Sequence, residues 1–594
     1  MRDRAHTLYG DPLPPIVGER LERELSIILE NGYASLFWLS HLQIRHSQAQ
    51  GYRAMARGTV GSSLVSRLAG IGESDPLPPH YRCPQCRHTE FFTCGEVGSG
   101  FDLPQKNCPV CGHAMARDGQ DIPFESCFGL HGDEMPAFEI NFSGEYIAQG
   151  EAKRYLESLF GKGRVIKAGA ILTVNERGAL WAVQQYAEKR DLAYPHKTLE
   201  RLAKGLIGVK RASGQHPGSF FILPENREAE DFTPLQHPYD DPDAGISTHF
   251  DFFSLHNVLL RLGNFGYTGP TICRYLEKYT GIPVTDADVS DPTVYRLFTS
   301  PKLLGVTPEQ IGCRTGTCAL SAWGTPFAER LLVACQPKGF ADLIKIFGLA
   351  HGTDVWTDNA QNLLEKGVCI LPEVIGNRED IYMNLTRRGM ERPAAYRIME
   401  IVRKGQAGRL LTETEQNRMR ACGIPEWYID SCRKIKYLFP KAHAAEYVLM
   451  DVRLGWYKLY YPVAYYAAWL TARDDFVDQA LVRGGAKTIA KAIQDLREPP
   501  AFLYDRDLRS TLQGILEAIQ RGVRFLPADL YRSAASAFVP ENGAIRLPLT
   551  SVKGVTPEQA QHIESARQDG ALPAEELIAF GVPKEAAEVL EKQK

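Results

Sequence analysis

The chain of 594 residues has no long apolar run and no leader-like start. No stretch of about 18 uncharged apolar residues occurs, so no segment is predicted to span a membrane. Residues 1–6 have no apolar core, so they are not predicted to form a signal peptide. These absences favour a cytoplasmic protein over a membrane-bound or secreted one.

The sequence also lacks a strong excess of charge of either sign. The formal net charge is −3 at pH 7 and the isoelectric point lies near 6.6. A protein that binds nucleic acid can still confine its positive charge to one cleft, so DNA is not excluded as a partner. The length allows roughly three to five domains, and no repeat of solenoid period occurs.

Hydrophobic periodicity predicts a mixed chain that becomes mainly helical in its second half. Residues 15–29 have helical spacing, whereas residues 34–42, which are apolar and aromatic, are predicted to form a strand. A block rich in Pro, Gly and Cys from 75 to 112 is typical of a small separate insert. Further elements are predicted as strands at 164–174 and 220–223, helices over most of 270–461 and 474–531, and two short helix–turn–helix units after residue 548.

Two CxxC knuckles within that block are separated by 21 residues. Four thiolates at this spacing can bind Zn²⁺ tetrahedrally, because this ion has no geometric preference from its d electrons. Four sulfur ligands leave no open position for water, so a structural zinc is predicted. Disulfides and chance clustering are the alternatives, and Cys94 is predicted to be a free thiol. The predicted ligands are Cys83, Cys86, Cys108 and Cys111, followed by Gly112 at a tight turn.

A glycine- and serine-rich loop follows Arg57. Glycine lets backbone N–H groups approach an anion closely, and serine hydroxyls add donors at the start of a following helix. Alone, the pattern favours a plain tight turn; its order with the other motifs gives it weight. The candidate phosphate contacts are Arg57, Gly61, Ser62 and Ser63.

Other segments carry candidate contacts to phosphate or DNA. Gly208–Gly218 combines two cations with a histidine, which suits contact with a phosphate or a primer backbone. Arg433–His443 interleaves basic and aromatic residues, as on a surface that carries phosphates and a stacked base. A solvated basic turn and an amphipathic helix end are the respective alternatives. The candidate residues are Lys210, Arg211, His216, Arg388, Arg403, Lys404, Lys436, Lys441 and His443.

Residues 552–560 are similar to one unit of a helix–hairpin–helix motif. The backbone N–H groups of such a hairpin, near Gly554, contact a phosphate without reading base sequence. Thr556 stands where the second glycine of the hairpin is usual. A helix–hairpin–helix and an unrelated turn therefore both remain open.

Eight further motifs occur in a familiar order: His80–Cys86, Gly98–Pro104, Asp121–Glu125, Asn141–Tyr146, Thr248–Phe252, Leu304–Ile311, His351–Trp356 and Ile424–Cys432. Together they resemble the PolC-type DNA polymerase III alpha subunit of low-GC Gram-positive bacteria. The resemblance is collinear over nearly the whole chain, and no single motif carries it.

The resemblance implies an α+β multidomain fold that binds primer–template DNA. It comprises a nucleotidyltransferase-type palm, a zinc-ribbon insert, large helical fingers and a C-terminal helix–hairpin–helix region. The loop after Arg57 would face the incoming triphosphate, and the basic finger residues would line its path. The implied segments are 1–75 for the N-terminal helix and first part of the palm, 76–115 for the zinc ribbon, 116–270 for the palm, 271–461 for the fingers and 462–594 for the C-terminal helical, duplex-binding region.

Metal-binding carboxylates are where the chain departs from this family. Nucleotidyl transfer by two metals needs neighbouring carboxylates, because Mg²⁺ is held by oxygen anions. The family's paired palm acids fall on Ala137 and Glu139, and its third acid falls on Gly263. Asp251 remains, one turn or strand from the metal site according to the resemblance. With two of three acids missing, the sequence argues against bound Mg²⁺.

Other departures concern the fingers and the ends of the chain. Glu446 and Asp451 stand where the family has small apolar residues, and negative charge there is expected to repel template or triphosphate in a cleft of low dielectric. The OB-fold, PHP and exonuclease regions of PolC proteins and their clamp-binding tail are not expected in this chain.

Three functional hypotheses follow. The first is a polymerase homologue that binds primer–template DNA without transferring nucleotides, because metal electrostatics supply most of the catalysis in phosphoryl transfer. The second is a weakly active DNA-directed DNA polymerase that uses Glu139 with a displaced acid such as Asp251. The third is an interaction module that has lost DNA binding and contacts replication proteins.

Overall fold

The computed structural model of the protein describes residues 1–241, 245–473, 477–496, 503–567 and 573–591. The chain forms two compact units, one made of residues 1–137 and 267–594 and the other of residues 138–266. The smaller unit is thus inserted into the sequence of the larger one. Within the described ranges, every helix is too short or too polar to cross a membrane.

The first part of the larger unit combines helices with short strands. α2 confirms the helix predicted over 15–29. In chain order the elements are α1 (Arg2–Tyr9), α2 (Pro15–Glu30), α3 (Ala34–Ala49), β1 (Ala54–Arg57), α4 (Leu64–Ala69), β2 (His80–Arg82), β3 (Thr89–Phe91), β4 (Ala116–Asp118) and α5 (Glu125–Phe128).

The strand predicted at 34–42 is wrong, because the segment belongs to α3. Its buried residues include Leu36, Ser40, Gln43, Ile44 and Ser47, which recur at the spacing of one helix face. That spacing becomes visible only when the window extends beyond residue 42. Of the aromatic residues that suggested a strand, Phe37 is buried by tertiary packing, which overrides local propensity, whereas Trp38 is exposed and stacks on His41 one turn later.

The smaller unit is built around an antiparallel and parallel sheet. Six strands lie in the order β5-β10-β7-β6-β9-β8, with β6 and β9 parallel and the pairs β10–β7, β7–β6 and β9–β8 antiparallel. The elements are β5 (Glu139–Ser143), α6 (Gly144–Ala148), α7 (Glu151–Phe160), β6 (Val165–Thr173), α8 (Glu176–Lys189), α9 (His196–Lys204), β7 (Lys210–Ile222), β8 (Leu235–Gln236), β9 (Ser247–Asp251), α10 (Phe252–Leu255) and β10 (Leu260–Tyr267).

The two strands predicted in this unit are confirmed in position. β6 follows the prediction for 164–174, and β7 contains most of the strand predicted at 220–223 but begins ten residues earlier, at Lys210. The early part of β7 escaped prediction because it is largely exposed and polar, so it lacks the apolar alternation of a half-buried strand. Phe221, Leu223 and Leu259 form part of a small core under this sheet.

The rest of the larger unit is mainly helical, as predicted, with a small sheet near its end. Its elements are α11 (Thr268–Thr280), α12 (Pro292–Tyr295), α13 (Pro308–Ile311), α14 (Pro326–Cys335), α15 (Phe340–His351), α16 (Gln361–Glu365), α17 (Arg378–Arg387), α18 (Arg392–Arg403), α19 (Ala407–Leu410), α20 (Glu413–Ala421), α21 (Glu426–Lys434), α22 (Lys441–Tyr460), α23 (Pro462–Thr471), α24 (Gln479–Arg483), α25 (Gly485–Asp495), α26 (Leu503–Gln520), β11 (Arg524–Leu526), β12 (Val539–Glu541), β13 (Ala544–Arg546), α27 (Pro557–Ala566), α28 (Ala574–Ala579) and α29 (Lys584–Glu591).

Helix α22 lies inside this helical region. Fourteen of its 20 residues are buried, and they occur on every side of the helix. A helix with buried residues all round must be enclosed by its neighbours, and here α11, α12, α15 and α23 pack against it. Buried polar side chains of α22, such as Glu446 and Arg453, therefore depend on partners inside the protein.

The CxxC block is attached to the helical region by Asp102. Its carboxylate accepts the backbone N–H groups of Phe340 and Ala341 at 2.5 and 2.9 Å, at the start of α15. The first N–H groups of a helix have no partner within the helix, and the helix dipole favours an anion there. The sheet of the block has the order β3-β2-β4 and is antiparallel throughout.

Candidate metal and nucleic-acid sites

The four cysteines of the CxxC knuckles converge on one point. Their sulfur atoms all lie within 4.8 Å of one another, and Cys83–Cys111 and Cys86–Cys108 are each separated by 3.4 Å. A tetrahedral zinc with Zn–S bonds of about 2.3 Å places its sulfurs about 3.8 Å apart. The donor set and its size therefore fit a structural metal ion.

The two knuckles have the same backbone geometry. In the first, the N–H of Arg87 donates to the carbonyl of Cys83 at 3.1 Å; in the second, the N–H of Gly112 donates to the carbonyl of Cys108 at 2.9 Å. Both closing residues have positive φ, 66° for Arg87 and 75° for Gly112. The tight turn predicted at Gly112 is confirmed, and Arg87 adopts the same conformation without being glycine.

In the smaller unit, the carboxylate of Glu139, at the start of β5, is paired with a cationic side chain. The guanidinium of Arg261, on β10, forms an ion pair with the Glu139 carboxylate. Arg261 is itself fixed, since its Nε donates to Ser219 Oγ at 3.0 Å and its guanidinium lies 4.2 Å from the centre of the Phe252 ring. Sequence reasoning missed Arg261, although it stands two residues before the Gly263 position.

Gly263 leaves no room for a third carboxylate as the chain is folded here. A Cβ atom at this position would lie 2.8 Å from Glu139 Cγ and 3.0 Å from the Phe265 ring. Contacts under 3.0 Å require a neighbouring atom to shift, so any side chain at 263 would displace Glu139. The two family positions that fall in this unit are therefore sterically coupled.

The expectation that Asp251 lies one turn or strand from this site is wrong. Asp251 ends β9, and three strands (β10, β7 and β6) separate β9 from β5 in the sheet. At about 4.8 Å per strand, the two acids lie roughly 19 Å apart along the sheet. Asp251 instead caps α10, accepting the N–H and the hydroxyl of Ser254 at 3.0 and 2.6 Å.

Across the described ranges, the four cysteines are the only group of three or more His, Cys, Asp or Glu side chains close enough to hold a metal ion. Ala137, in the larger unit, contributes only its backbone, whose N–H donates to Thr59 Oγ1 at 2.9 Å. Thr59 belongs to the glycine- and serine-rich loop.

That loop forms a 3₁₀ turn at Gly58–Ser62 and leads into α4. The buried carboxylate of Glu24 accepts the Ser63 hydroxyl at 2.5 Å and the N–H groups of Leu64 and Val65, each at 3.0 Å. Of these donors, the Ser63 hydroxyl is one that the sequence suggested for a phosphate. Gly61, Ser62 and Ser63 are buried, and their contact with a triphosphate stays a prediction.

Glu24 was overlooked although the sequence carries a signal for it. The buried stripe of α2 consists of Val17, Leu21, Glu24 and Ile28. A charged residue at a core position must be paired or hydrogen-bonded, because burying an isolated carboxylate is costly. Arg20 pairs with it at 2.5 Å, which completes its partners.

Arg57 and His443 come together around Tyr447, near a cavity of about 260 Å³ that Tyr447 lines. Arg57 donates to the Tyr447 hydroxyl at 3.3 Å, and the His443 and Tyr447 rings lie 4.9 Å apart. Burial, together with the nearby Arg57 and His351, lowers the pKa of His443 to about 3. His443 is therefore neutral at pH 7 and offers no positive charge to a phosphate.

Lys441 does not join this cluster. It lines a separate cavity of about 920 Å³ between the CxxC block and the helical region, together with the Lys345–Asp380 ion pair. Burial lowers its pKa, opposed by Asp121 and Asp380. Arg388 lines an adjoining cavity of about 340 Å³ that Lys441 also reaches.

The remaining candidate cations lie in two further places. Arg403 and Lys404 both pair with Glu400, and the backbone of Lys436 packs against Gly405 beside them. In the smaller unit, Lys210 and Arg211 are exposed at the start of β7, whereas His216 Nδ1 accepts the N–H of Ser219 at 3.1 Å. The candidate residues thus form several groups rather than one.

Glu446 and Asp451 do not project into a cleft, contrary to expectation. Only 3% of Glu446 and none of Asp451 is exposed. Burial raises the pKa of Glu446 to about 7 and that of Asp451 to about 8. Hydrogen bonds from the Trp323 side chain and the Ala322 backbone oppose this rise in the pKa of Asp451. Both acids are therefore enclosed within the larger unit.

The candidate hairpin near residue 554 has the geometry of a tight connection. Gly554 has a φ of 92°, which favours glycine, and it lies against Pro583. Thr556 forms a capping box with Gln559 at the start of α27. The residue at the second glycine position is therefore explained as a helix cap.

Comparison with known families covers most of the chain. Residues 1–191 and 182–262 match the family described as the bacterial DNA polymerase III alpha NTPase domain, and 270–422 match the finger domain of the same subunit. Residues 522–578 match a helix–hairpin–helix motif, which settles the alternative left open above. The chain therefore belongs to the bacterial DNA polymerase III alpha family, and the predicted fold class is confirmed.

Within this family, the chain is similar to proteins of the PolC type. It is 44% identical over 571 residues to the DNA polymerase III PolC-type of Caldanaerobacter subterraneus subsp. tengcongensis, and 43% identical over 576 residues to that of Bacillus subtilis. Each match covers 96% of this chain but only 40% of the relative. The chain thus spans about two fifths of the length of the curated relatives it matches.

We expect the buried acids of α22 to make stability depend on pH. The pKa of Asp451 is raised in the folded protein, so its contribution is fully present below the unfolded pKa of about 4 and is lost as pH rises toward about 8. The free energy of unfolding should fall across this window, by up to about 1.4 kcal/mol per pH unit for one group. Chemical denaturation at several pH values measures it.

Asp451→Asn should reduce this fall because an amide does not titrate. The matched control is Asp430→Asn, which changes an exposed residue of α21 and should leave the pH profile as in the wild type. Equal profiles for Asp451→Asn and the wild type would contradict the raised pKa.

Proposed function

We propose that this chain is a polymerase core that binds primer–template DNA without transferring nucleotides. The ion pair between Glu139 and Arg261 carries the proposal. A guanidinium stays charged at all relevant pH values, so it competes for the carboxylate and repels a divalent cation. Ala137 and Gly263 supply no oxygen ligand from a side chain, and two-metal catalysis requires several.

DNA binding is supported by parts of the chain remote from the lost acids. The helix–hairpin–helix match predicts backbone N–H contacts to phosphates of a duplex. Exposed cations also remain, among them Lys210, Arg211, Lys404 and Lys436. Because the net charge is −3, any affinity for DNA must come from such local groups.

The two alternatives differ in what supports them. A weakly active polymerase would have to use Glu139 without Asp251, which is too far away, and would first have to break the pair with Arg261. An interaction module of the replication machinery needs neither metal nor DNA. The helix–hairpin–helix match favours DNA over that reading.

We also propose that the four-cysteine site holds zinc. Cys83, Cys86, Cys108 and Cys111 would hold the ion, which would link the two knuckles where the block has only a small core of its own. Such an ion supplies folding free energy and no catalytic chemistry.

Purified protein should not extend a primer on a template with dNTPs and either Mg²⁺ or Mn²⁺, because the palm cannot hold two metals. It should bind the same primer–template in fluorescence anisotropy, with affinity that falls as salt rises. Robust template-directed extension would overturn the proposal. Absence of binding at low salt would favour a protein partner instead.

The double variant Lys210→Ala/Arg211→Ala tests where DNA lies. It should weaken binding. It should also make the negative slope of log affinity against log salt shallower by about 2, since about one counterion is released per phosphate contact. Lys366→Ala removes an exposed lysine outside the candidate groups and should leave both quantities unchanged. An unchanged slope in the double variant would remove the start of β7 from the interface.

Substitutions at Gly263 and Glu139 should be strongly coupled. Gly263→Ala alone should destabilise the protein by about 1–3 kcal/mol, the usual cost of overpacking, because the new Cβ meets Glu139 Cγ. In a Glu139→Ala background the cost should be much smaller, since Cγ is gone. A double-mutant cycle by chemical denaturation measures this coupling, and additive effects would contradict the steric link.

Removal of the metal should unfold the CxxC block selectively. Metal analysis of the purified protein should find about one zinc per chain, and a strong chelator should expose residues 80–118 to limited proteolysis. Cys86→Ser should lose the metal, whereas Cys94→Ser, an exposed thiol outside the knuckles, should keep it. Metal loss in both variants, or in neither, would argue against this ligand set.

A further inference from the structure

We propose that Glu446 and Arg453 form a lock that holds α22 against residues 72–74. The lock fixes the position of the helix that carries His443 and Tyr447. The proposal concerns the larger unit alone and stands whether or not the protein binds DNA. It also gives a role to Glu446, one of the acids that replace small apolar residues of the family.

The first half of the lock is a carboxylate that accepts two backbone N–H groups. Glu446 Oε1 accepts the N–H of Glu73 at 2.8 Å and that of Ser74 at 2.9 Å. These bonds lie in the interior, where water competes little, and they strengthen as pH rises above the Glu446 pKa of about 7, because hydrogen bonds to an ionised group are about twice as strong as neutral ones. A small apolar side chain at position 446 could not accept either N–H.

The second half is an ion pair on the same face of the helix. Arg453 lies seven residues after Glu446, which is two helical turns, and it pairs with the Glu73 carboxylate. Arg53 pairs with the same carboxylate at 2.8 Å. The two arginines lower the pKa of Glu73 to about 2 against the effect of burial, so the pair stays charged at neutral pH.

Glycines allow the close approach that the lock requires. A Cβ at Gly72 would lie 2.9 Å from Glu446 Oε1 and 3.6 Å from the Cα of Gly61. A Cβ at Gly61 would likewise lie 3.7 Å from Glu446 Oε1, so Glu446 packs against both Gly72 and the Gly58–Ser62 turn. Movement of α22 would break the two hydrogen bonds donated by the N–H groups of Glu73 and Ser74. It would also break the Arg453–Glu73 ion pair and disturb this turn.

The lock has a mechanical consequence. Many enzymes that bind nucleotides close a mobile element over the substrate, and that element must have little resistance to movement. Here the enclosed helix next to Arg57 is fastened at two points, so the arrangement favours a single conformation.

Hydrogen exchange of the two donor N–H groups tests the lock directly. In the wild type, the amides of Glu73 and Ser74 should exchange as slowly as those inside α22. Glu446→Ala should accelerate their exchange at least about tenfold, since both amides lose their shared acceptor, Glu446 Oε1. Glu446→Gln keeps a carbonyl oxygen as acceptor and should lie between the two. Mass spectrometry with residue-level fragmentation resolves these amides.

Asp451→Ala is the matched control, because it removes another buried acid of α22, one that interacts with Trp323 and the Ala322 backbone. It should leave the exchange of both amides unchanged. Rapid exchange in the wild type would overturn the proposal without any variant. So would unchanged exchange in a folded Glu446→Ala protein. If Glu446→Ala does not fold, Gly72→Ala, which crowds the carboxylate, should accelerate the same two amides.

Discussion

Much of this structure depends on buried carboxylates that accept hydrogen bonds from the protein's own backbone N–H groups. An ionised carboxylate is costly to remove from water unless hydrogen bonds or a cation compensate it. Glu24 therefore accepts hydrogen bonds from the first N–H groups of α4, and Asp102 accepts them from the first N–H groups of α15. Glu446 accepts them from the N–H groups of residues 73 and 74. Each of these contacts joins segments that are far apart in sequence, so each fixes tertiary structure as well as satisfying a charge.

The same principle changes how the candidate sites are understood. Helix N-termini and glycine-rich turns attract anions, and sequence patterns alone do not reveal whether that anion is a ligand or a side chain. At Ser63 the anion is Glu24, and at Glu139 the Arg261 guanidinium is the paired cation. Donors that are already satisfied gain less from a ligand, because the ligand must first replace an internal partner.

Sequence predicted best those features that depend on short-range spacing. The cysteine knuckles converge as their spacing requires, and the helix at 15–29 follows from its apolar periodicity. Features set by strand order could not be predicted. Asp251 lies far from Glu139 because three strands separate them in the sheet, and the sequence does not reveal that order. Nor does sequence show the direction of a side chain: Lys441 lines the cavity of about 920 Å³, whereas His443, two residues later, packs against the Tyr447 ring. The division of the chain into five segments remains a prediction.

Nucleotidyl transfer is lost through fewer substitutions than DNA binding is. This difference supports the proposal of a protein that binds DNA without transferring nucleotides. A two-metal site needs several oxygen ligands within a few ångströms, so losing two of three acids removes the geometry as a whole. Phosphate contacts are spread over many backbone N–H groups and side chains, and each contributes a similar, nearly independent share. Under the proposed function, Ala137 and Gly263 fall in the kind of site that tolerates change least. The hairpin at Gly554 and the exposed cations of β7 would each supply contacts of the kind that tolerates change best.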